Sequence, residues 1–374
     1  MANFFKKWFG GTNPSVLGID IGSSAIKVVQ LRRKNGQAIL ETYGSLALGP
    51  YGNVEIGKST NLAPEKVTEA LVDVLREAHI SSNQAGLALP YGSSLISMAE
   101  LPMVAEAELA KIIPFEARKY IPVPLTEVML DWMVIPESTN PAQPAQAPTS
   151  TLTAEPAKAK VIDVLLVAIH NETIARYQTI INQAGLDISF FEIEAFSDIR
   201  SILDQATTTE MIIDIGAATT KVYIVEKDII RTPHIINRGS QDVTAVISQN
   251  MNISMAEAEV IKRDISHAPA ERQKEVIHII EQALEPLFSE VNQVLVSYQK
   301  KYNKDVSKTY LIGGGARLNG ILQFATTRIQ TDVVLGNPFN KTAAPAFLEQ
   351  ILQSTGPEFA GAVGAALRKL QEIV

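Results

Sequence analysis

Two aspartates in this chain stand in matching settings. Asp20 lies in Ile19-Asp20-Ile21-Gly22 and Asp214 in Ile213-Asp214-Ile215-Gly216. Each ends an apolar run, and a lysine, Lys27 or Lys221, follows seven positions later. The residues after each glycine are small or hydroxylic: Ser23, Ser24 and Ala25 in one copy, Ala217, Ala218, Thr219 and Thr220 in the other. A strand that turns back through such residues gathers backbone N–H groups around an anion. Gly22 and Gly216 let a phosphate oxygen approach the main chain. The carboxylates suit a different ligand. Mg²⁺ keeps several waters and is held by one or two carboxylates plus substrate phosphates, so facing aspartates at 20 and 214 would hold it largely through water. A lone Asp-x-Gly also simply ends a buried strand, because both residues favour turns. Two matched copies far apart in the chain form an internal repeat and predict two similar halves around one polyphosphate.

Other elements must position these turns. A strand is predicted over 309–312, followed by Gly313-Gly314-Gly315-Ala316, where bare backbone would lie against a nucleobase or ribose. A glycine triplet by itself is equally a flexible turn. Ser254 and Glu257 form a capping-box pattern opening a helix over 254–266. Glu259 and Lys262 share one face of that helix, and spacing alone leaves them a solvated ion pair. Strands over 211–215 and 221–225 are apolar on both faces, as central strands covered by helices are. A long helix over 271–302 carries Pro286, which should bend it. The final helix, over 357–370, begins with Ala360, Gly361, Ala362 and Gly364, small enough to pack closely on the hairpin sheet.

Between the two halves the pattern changes. Pro64 opens a helix reaching about His79, and a strand follows over 86–89. Then come a strand over 95–101, a helical run over 106–120 interrupted by Pro114, strands over 128–135 and 161–169, and a helix over 171–184. Together they predict a small α+β module. Residues 137–160, rich in Pro, Ala, Gln and Thr, cannot bury a core and read as a disordered loop joining antiparallel strands.

Composition sets the outer bounds. The chain has 374 residues, 46% of them hydrophobic, with no uncharged apolar run of roughly 18 residues, and reads as a soluble protein of two or more domains. A net charge of −7 argues against nucleic acid as the main partner. The absence of cysteine excludes disulfides and thiolate chemistry and fits a reducing cytoplasm. The N-terminus lacks the apolar stretch and cleavage site of a secretory signal. Phe4, Phe5, Trp8 and Phe9 surround Lys6 and Lys7 there, a segment suited to a lipid interface, to an apolar patch of the domain or to a partner.

The two Asp-x-Gly hairpins, the Gly-Gly-Gly-Ala turn and the small-residue closing helix resemble the nucleotide-site elements of the actin, sugar kinase and Hsp70 superfamily. That resemblance implies an α/β, ribonuclease H-like, two-lobed ATPase fold. The inserted module resembles the relocated subdomain of FtsA, the bacterial cell-division actin homologue. Residues 18–31, the run from Leu101-Pro102-Met103 to Asp131 with Tyr120-Ile121-Pro122, and the chain from Met211 onward are similar to the PilM family of type IV pilus assembly proteins. The implied organisation is an N-terminal segment 1–13, subdomain IA from 14–93, an inserted SHS2-type subdomain IC from 94–187, and a connecting helix in 188–208. Subdomain IIA then covers 209–250 and 305–345, IIB covers 251–304, and the closing helix lies in 346–374.

By the same resemblance, Asp20, Gly22, Ser23, Ser24 and Lys27 form the first phosphate hairpin and Asp214, Gly216, Ala217, Thr219 and Thr220 the second. Glu259 and Lys262 flank the ribose. Gly313, Gly314, Ala316 and Arg317 form the adenosine turn. Glu192 and Glu194, beside the connecting helix over 194–203, are the candidates for orienting water. Ile193-Glu194-Ala195-Phe196 departs from the Glu-Pro-Thr pattern of Hsp70, which implies slow or absent hydrolysis. The implied ligands are ATP and Mg²⁺, and the implied partner is the cytoplasmic N-terminal tail of the membrane protein PilN. A pilus assembly ATPase, a platform protein and self-association are further expected contacts, at the cytoplasmic face of the inner membrane. An FtsA-like filament and a small-molecule kinase are the alternatives. The kinase needs a general base for a substrate hydroxyl, and no residue offers one. FtsA carries a C-terminal amphipathic anchor, which this chain is expected to lack. A chaperone would need a substrate domain after the closing helix.

Overall fold

The structure, a computed structural model, describes residues 14–135, 161–204 and 208–372. The expected roles of Phe4, Phe5, Trp8 and Phe9, and the reading of 137–160 as a disordered loop, concern residues outside the described ones. In chain order the elements are β1 (Ser15–Ile21), β2 (Ala25–Lys34), β3 (Gln37–Ala47), α1 (Pro64–Glu77), β4 (Gln84–Leu89), β5 (Ser94–Pro102), α2 (Glu106–Ala117), β6 (Val128–Val134), β7 (Val161–His170), α3 (Asn171–Gln183), β8 (Asp187–Ile193) and α4 (Glu194–Ile202). There follow β9 (Thr209–Ile215), β10 (Thr220–Glu226), β11 (Ile229–Ile236), α5 (Ser240–Met251), α6 (Met255–Arg263), α7 (Gln273–Tyr302), β12 (Lys308–Ile312), α8 (Ile321–Arg328), β13 (Asp332–Leu335), α9 (Glu349–Thr355) and α10 (Ala360–Glu372).

The sequence repeat is a repeat of sheets. One sheet has the order β3-β2-β1-β4-β8 and the other β11-β10-β9-β12-β13. In each, three antiparallel strands continue into two parallel ones, and the strand that ends in the aspartate is central. Central strands buried on both faces must be apolar throughout; from Val16 to Ile21 every residue of β1 is buried, and so are the last five of β9.

The chain forms two compact units, Gly92–Ile174 and the remainder. In the smaller, β5, β7 and β6 make an antiparallel sheet. Leu109, Ile113 and Ala117 of α2 pack on its Ala99, Leu101, Val164, Leu166 and Ala168. Pro114 lies inside α2, and the helix runs on to Ala117. One missing ladder bond is tolerated where Ile113 and Ala117 anchor the turn on both sides.

In the larger unit, Pro64 takes the first turn of α1, which buries Val67, Ala70, Leu71 and Val74. The core of the second half gathers around α7, which runs through Pro286 as one helix of 30 residues. The closing helix α10 touches β1 at main-chain distance. A Cβ on Gly18 would stand 1.9 Å from the Ala362 carbonyl oxygen, and one on Gly364 1.9 Å from that of Ser197 in α4. The small residues of α10 thus let β1 and α4 both pack against it at main-chain distance. No helix among the described residues is long and apolar enough to cross a membrane.

Candidate functional site

The seven-residue spacing from aspartate to lysine has a simple structural cause. Asp20 and Lys27 are register partners across the β1–β2 hairpin, as Asp214 and Lys221 are across β9–β10. Both turns close with the same bond: the Gly22 N–H donates to the Ala25 carbonyl and the Gly216 N–H to the Thr219 carbonyl, each at 3.0 Å. Lys27 Nζ stands 3.4 Å from Asp20 Oδ2, and Lys221 Nζ 2.8 Å from Asp214 Oδ2. The two turns line one cleft together with Gly313, Gly314, Glu194 and Asp198, and Gly361 of α10 closes it. Asp20 and Asp214 are each 8% exposed. Gly313 has φ +83°, and a Cβ there would lie 2.2 Å from Asp214 Oδ1, so only glycine fits.

The helix α4 supplies two more carboxyl groups. Its first residue, Glu194, accepts the Tyr91 N–H at 2.8 Å and pairs with Lys221 at 3.0 Å. Asp198, one turn on, is 3% exposed, and its Oδ2 has no hydrogen-bond partner. Burial pushes the Asp198 carboxyl well above the usual range, and the Asp214 and Glu194 charges push the same way. Burial also raises Glu194, against the pull of Lys221. Burial works against a charged Lys221, yet Asp214 and Glu194 outweigh it and hold the ammonium well above its ordinary range. Lys27 is raised in the same way, with Asp20 the largest opponent of its burial, then Glu358 and Asp214. Backbone turns for an anion, two ammonium groups and a set of hard oxygen donors therefore share one poorly hydrated space.

Of the residues singled out by sequence, Asp20, Gly22, Ser23, Ser24, Lys27, Asp214, Gly216, Ala217, Thr219, Gly313, Gly314 and Glu194 come together around the cleft. Others do not line it. Thr220 is buried with its hydroxyl donating to the Arg238 carbonyl. Ala316 belongs to the core of the second half. Arg317 pairs with Glu358, a cleft residue, and so stands one position behind the wall. Glu259 and Lys262 are no solvated pair: they meet at 2.6 Å, both buried, and Glu259 also holds Arg263 and the Thr244 hydroxyl. Glu192 is taken out of the cleft. Arg200, Arg368 and the Ser197 hydroxyl saturate its carboxylate, where it helps to seat α4 and α10. Sequence reasoning missed Asp198, although it lies four residues after Glu194 and so shares its helix face. It also left Lys221 in the repeat without a site role, where its counterpart Lys27 had one.

The duplicated sheet plan with two aspartyl turns facing one cleft is the α/β actin-like, ribonuclease H-like fold, here carrying an inserted α+β unit. A sequence model described as type IV pilus assembly protein PilM matches residues 18–370, and the chain belongs to that family. Among solved structures, a chain of a PilM–PilN type IV pilus biogenesis complex is 23% identical, with 95% of this chain and 98% of that one covered at a TM-score of 0.77. Ethanolamine utilization protein EutJ from Carboxydothermus hydrogenoformans is 17% identical, covering 95% and 89% at 0.54. A diol dehydratase-reactivating factor in nucleotide-free form is 11% identical, covering 96% and 100% at 0.53. At these identities the likeness is one of fold.

Proposed function

We propose that the chain binds one Mg-ATP between its hairpins and acts, in this loaded form, as an adaptor for the cytoplasmic N-terminal tail of a PilN-type membrane protein. The observation that carries the nucleotide is the pair of matched turns opening on one cleft. With the Gly22 and Gly216 N–H groups closing the turns, the backbone N–H groups of Ser23 and Ser24 and of Ala217 and Thr219 would take the phosphates. Lys27 and Lys221 would balance their charge, and Gly313 and Gly314 leave room beside Asp214 for the nucleoside. The available donors are hard carboxylate oxygens, as a hydrated Mg²⁺ requires, and Asp20 and Asp214 would hold it. When bound, that ion would neutralise phosphate charge.

Glu194 is the remaining candidate for orienting water. Its Oε1 is already engaged by Lys221 and the Tyr91 N–H, so that oxygen is not free to position an attacking water. This supports slow turnover, with ATP serving mainly to set the angle between the two lobes. Membership of the pilus assembly family and the solved PilM–PilN complex support the partner. A peripheral position at the cytoplasmic face of the inner membrane follows from that partner. The test is titration of the full chain with a labelled synthetic PilN-type tail, with and without Mg-ATP, while phosphate release is followed. Tail binding without steady phosphate release is expected. A chain that ignores the tail in both states, or that turns over many ATP molecules per minute, overturns the adaptor reading.

A further inference from the structure

The segment 53–63, between the turn Gly49–Gly52 and α1, does more than connect. Thr60 gives both its N–H and its hydroxyl to the Ser23 carbonyl, at 2.8 and 2.9 Å, so one end is stapled to the first phosphate turn. The Ser59 N–H donates to Gln241 Oε1 at 3.1 Å, on α5 in the second lobe. Gly57, at φ +92°, lies so close to α6 that a Cβ would stand 2.4 Å from the Glu259 carboxyl carbon. That carboxylate cannot step aside, since Lys262, Arg263 and Thr244 hold it at 2.6 to 2.8 Å. The start of α5 is itself bonded to the second phosphate turn: the Ser240 N–H donates to the Gly216 carbonyl at 2.9 Å and the Gln241 N–H to the Ala217 carbonyl at 3.0 Å. A path of hydrogen bonds, continued through the Ser59–Thr60 main chain, thus runs from Ser23 through Thr60, Ser59 and Gln241 to Ala217.

We infer that this segment is a clasp that sets the separation of the two phosphate turns and must part before a nucleotide is exchanged. The inference rests on the nucleotide reading above. It gives the buried Glu259–Lys262 pair a role in anchoring the clasp through Gly57. Because the clasp is made by the protein alone, weakening it should speed both association and dissociation and leave affinity nearly unchanged.

The test is stopped-flow exchange of a fluorescent ATP analogue with Mg²⁺ on the full chain, comparing wild type with Gln241→Ala and Gly57→Ala, with melting curves to confirm folding. Gln241→Ala removes one bond and should raise both rates about fivefold. Amide hydrogen exchange at Ser59 should quicken in the same variant without nucleotide. If the wild type binds and neither rate nor Ser59 protection changes in Gln241→Ala, the clasp is overturned while the nucleotide site stands. If the wild type binds no analogue, the nucleotide reading fails, and the clasp as an exchange gate fails with it.

Discussion

The two hairpins share a phrase, a turn bond and a place in their sheets, yet they use their lysines differently. Among the described residues Lys27 forms an ion pair with Asp20 alone, at 3.4 Å. Lys221 holds Asp214 at 2.8 Å and Glu194, from the other lobe, at 3.0 Å. The residue two before each aspartate differs as well: Gly18 lets α10 lie against β1, whereas its counterpart Ile212 is fully buried. What the repeat preserves is the glycine-closed turn and its cross-strand Asp–Lys pair. What each copy adds depends on the element packed against it, and only the second hairpin spans the two lobes through its lysine.

The asymmetry can be broken by substitution. Lys221→Met leaves Asp214 and Glu194 buried without their cation and should cost about 3 to 5 kcal/mol in urea melts. Lys27→Met should cost clearly less; equal losses would remove the distinction. Gly18→Ala forces a methyl group onto the Ala362 carbonyl and should cost about 3 kcal/mol. Ile212→Val at the matching position in the other sheet should cost about 1 kcal/mol, both read from thermal melting.

A smaller effect sharpens the electrostatics. Burial, with help from Asp214 and Glu194, lifts the Asp198 carboxyl above its usual range. The folded chain then keeps this proton after the unfolded chain has released it. Its contribution is therefore most favourable below the unfolded aspartate pKa of about 3.9 and is lost as pH rises above that value. Asp198→Asn removes this loss, so its stability relative to wild type should rise as pH climbs above about 4 in a series of melts. A difference that stays flat with pH would place Asp198 in a wetter setting than its 3% exposure indicates.

Much of this was legible in the residues, for reasons that can be named. The Asp–Lys spacing is a cross-strand pair, Ser254 and Glu257 do make their capping box, and the small residues of α10 do meet β1 without a gap. The third strand of each sheet was not legible. β3 shifts register where it pairs with Gln30 and Leu31, so its alternation is broken. β11 contains Pro233, which argues against a strand except at a sheet edge, where β11 lies. Adjacency in sequence also misled. Thr219, still in the turn, lines the cleft, while Thr220 opens β10 with its hydroxyl turned inward to the Arg238 carbonyl. Glu192, two residues before Glu194, lies near the end of β8 between two arginines, whereas Glu194 opens the helix at the cleft.

That both hairpins grip a single ligand is tested most directly by isothermal titration of Mg-ATP into the wild-type chain, Asp20→Asn and Asp214→Asn. One nucleotide per wild-type chain is predicted, with affinity at least about tenfold weaker in each variant. Affinity left intact by either substitution would contradict it.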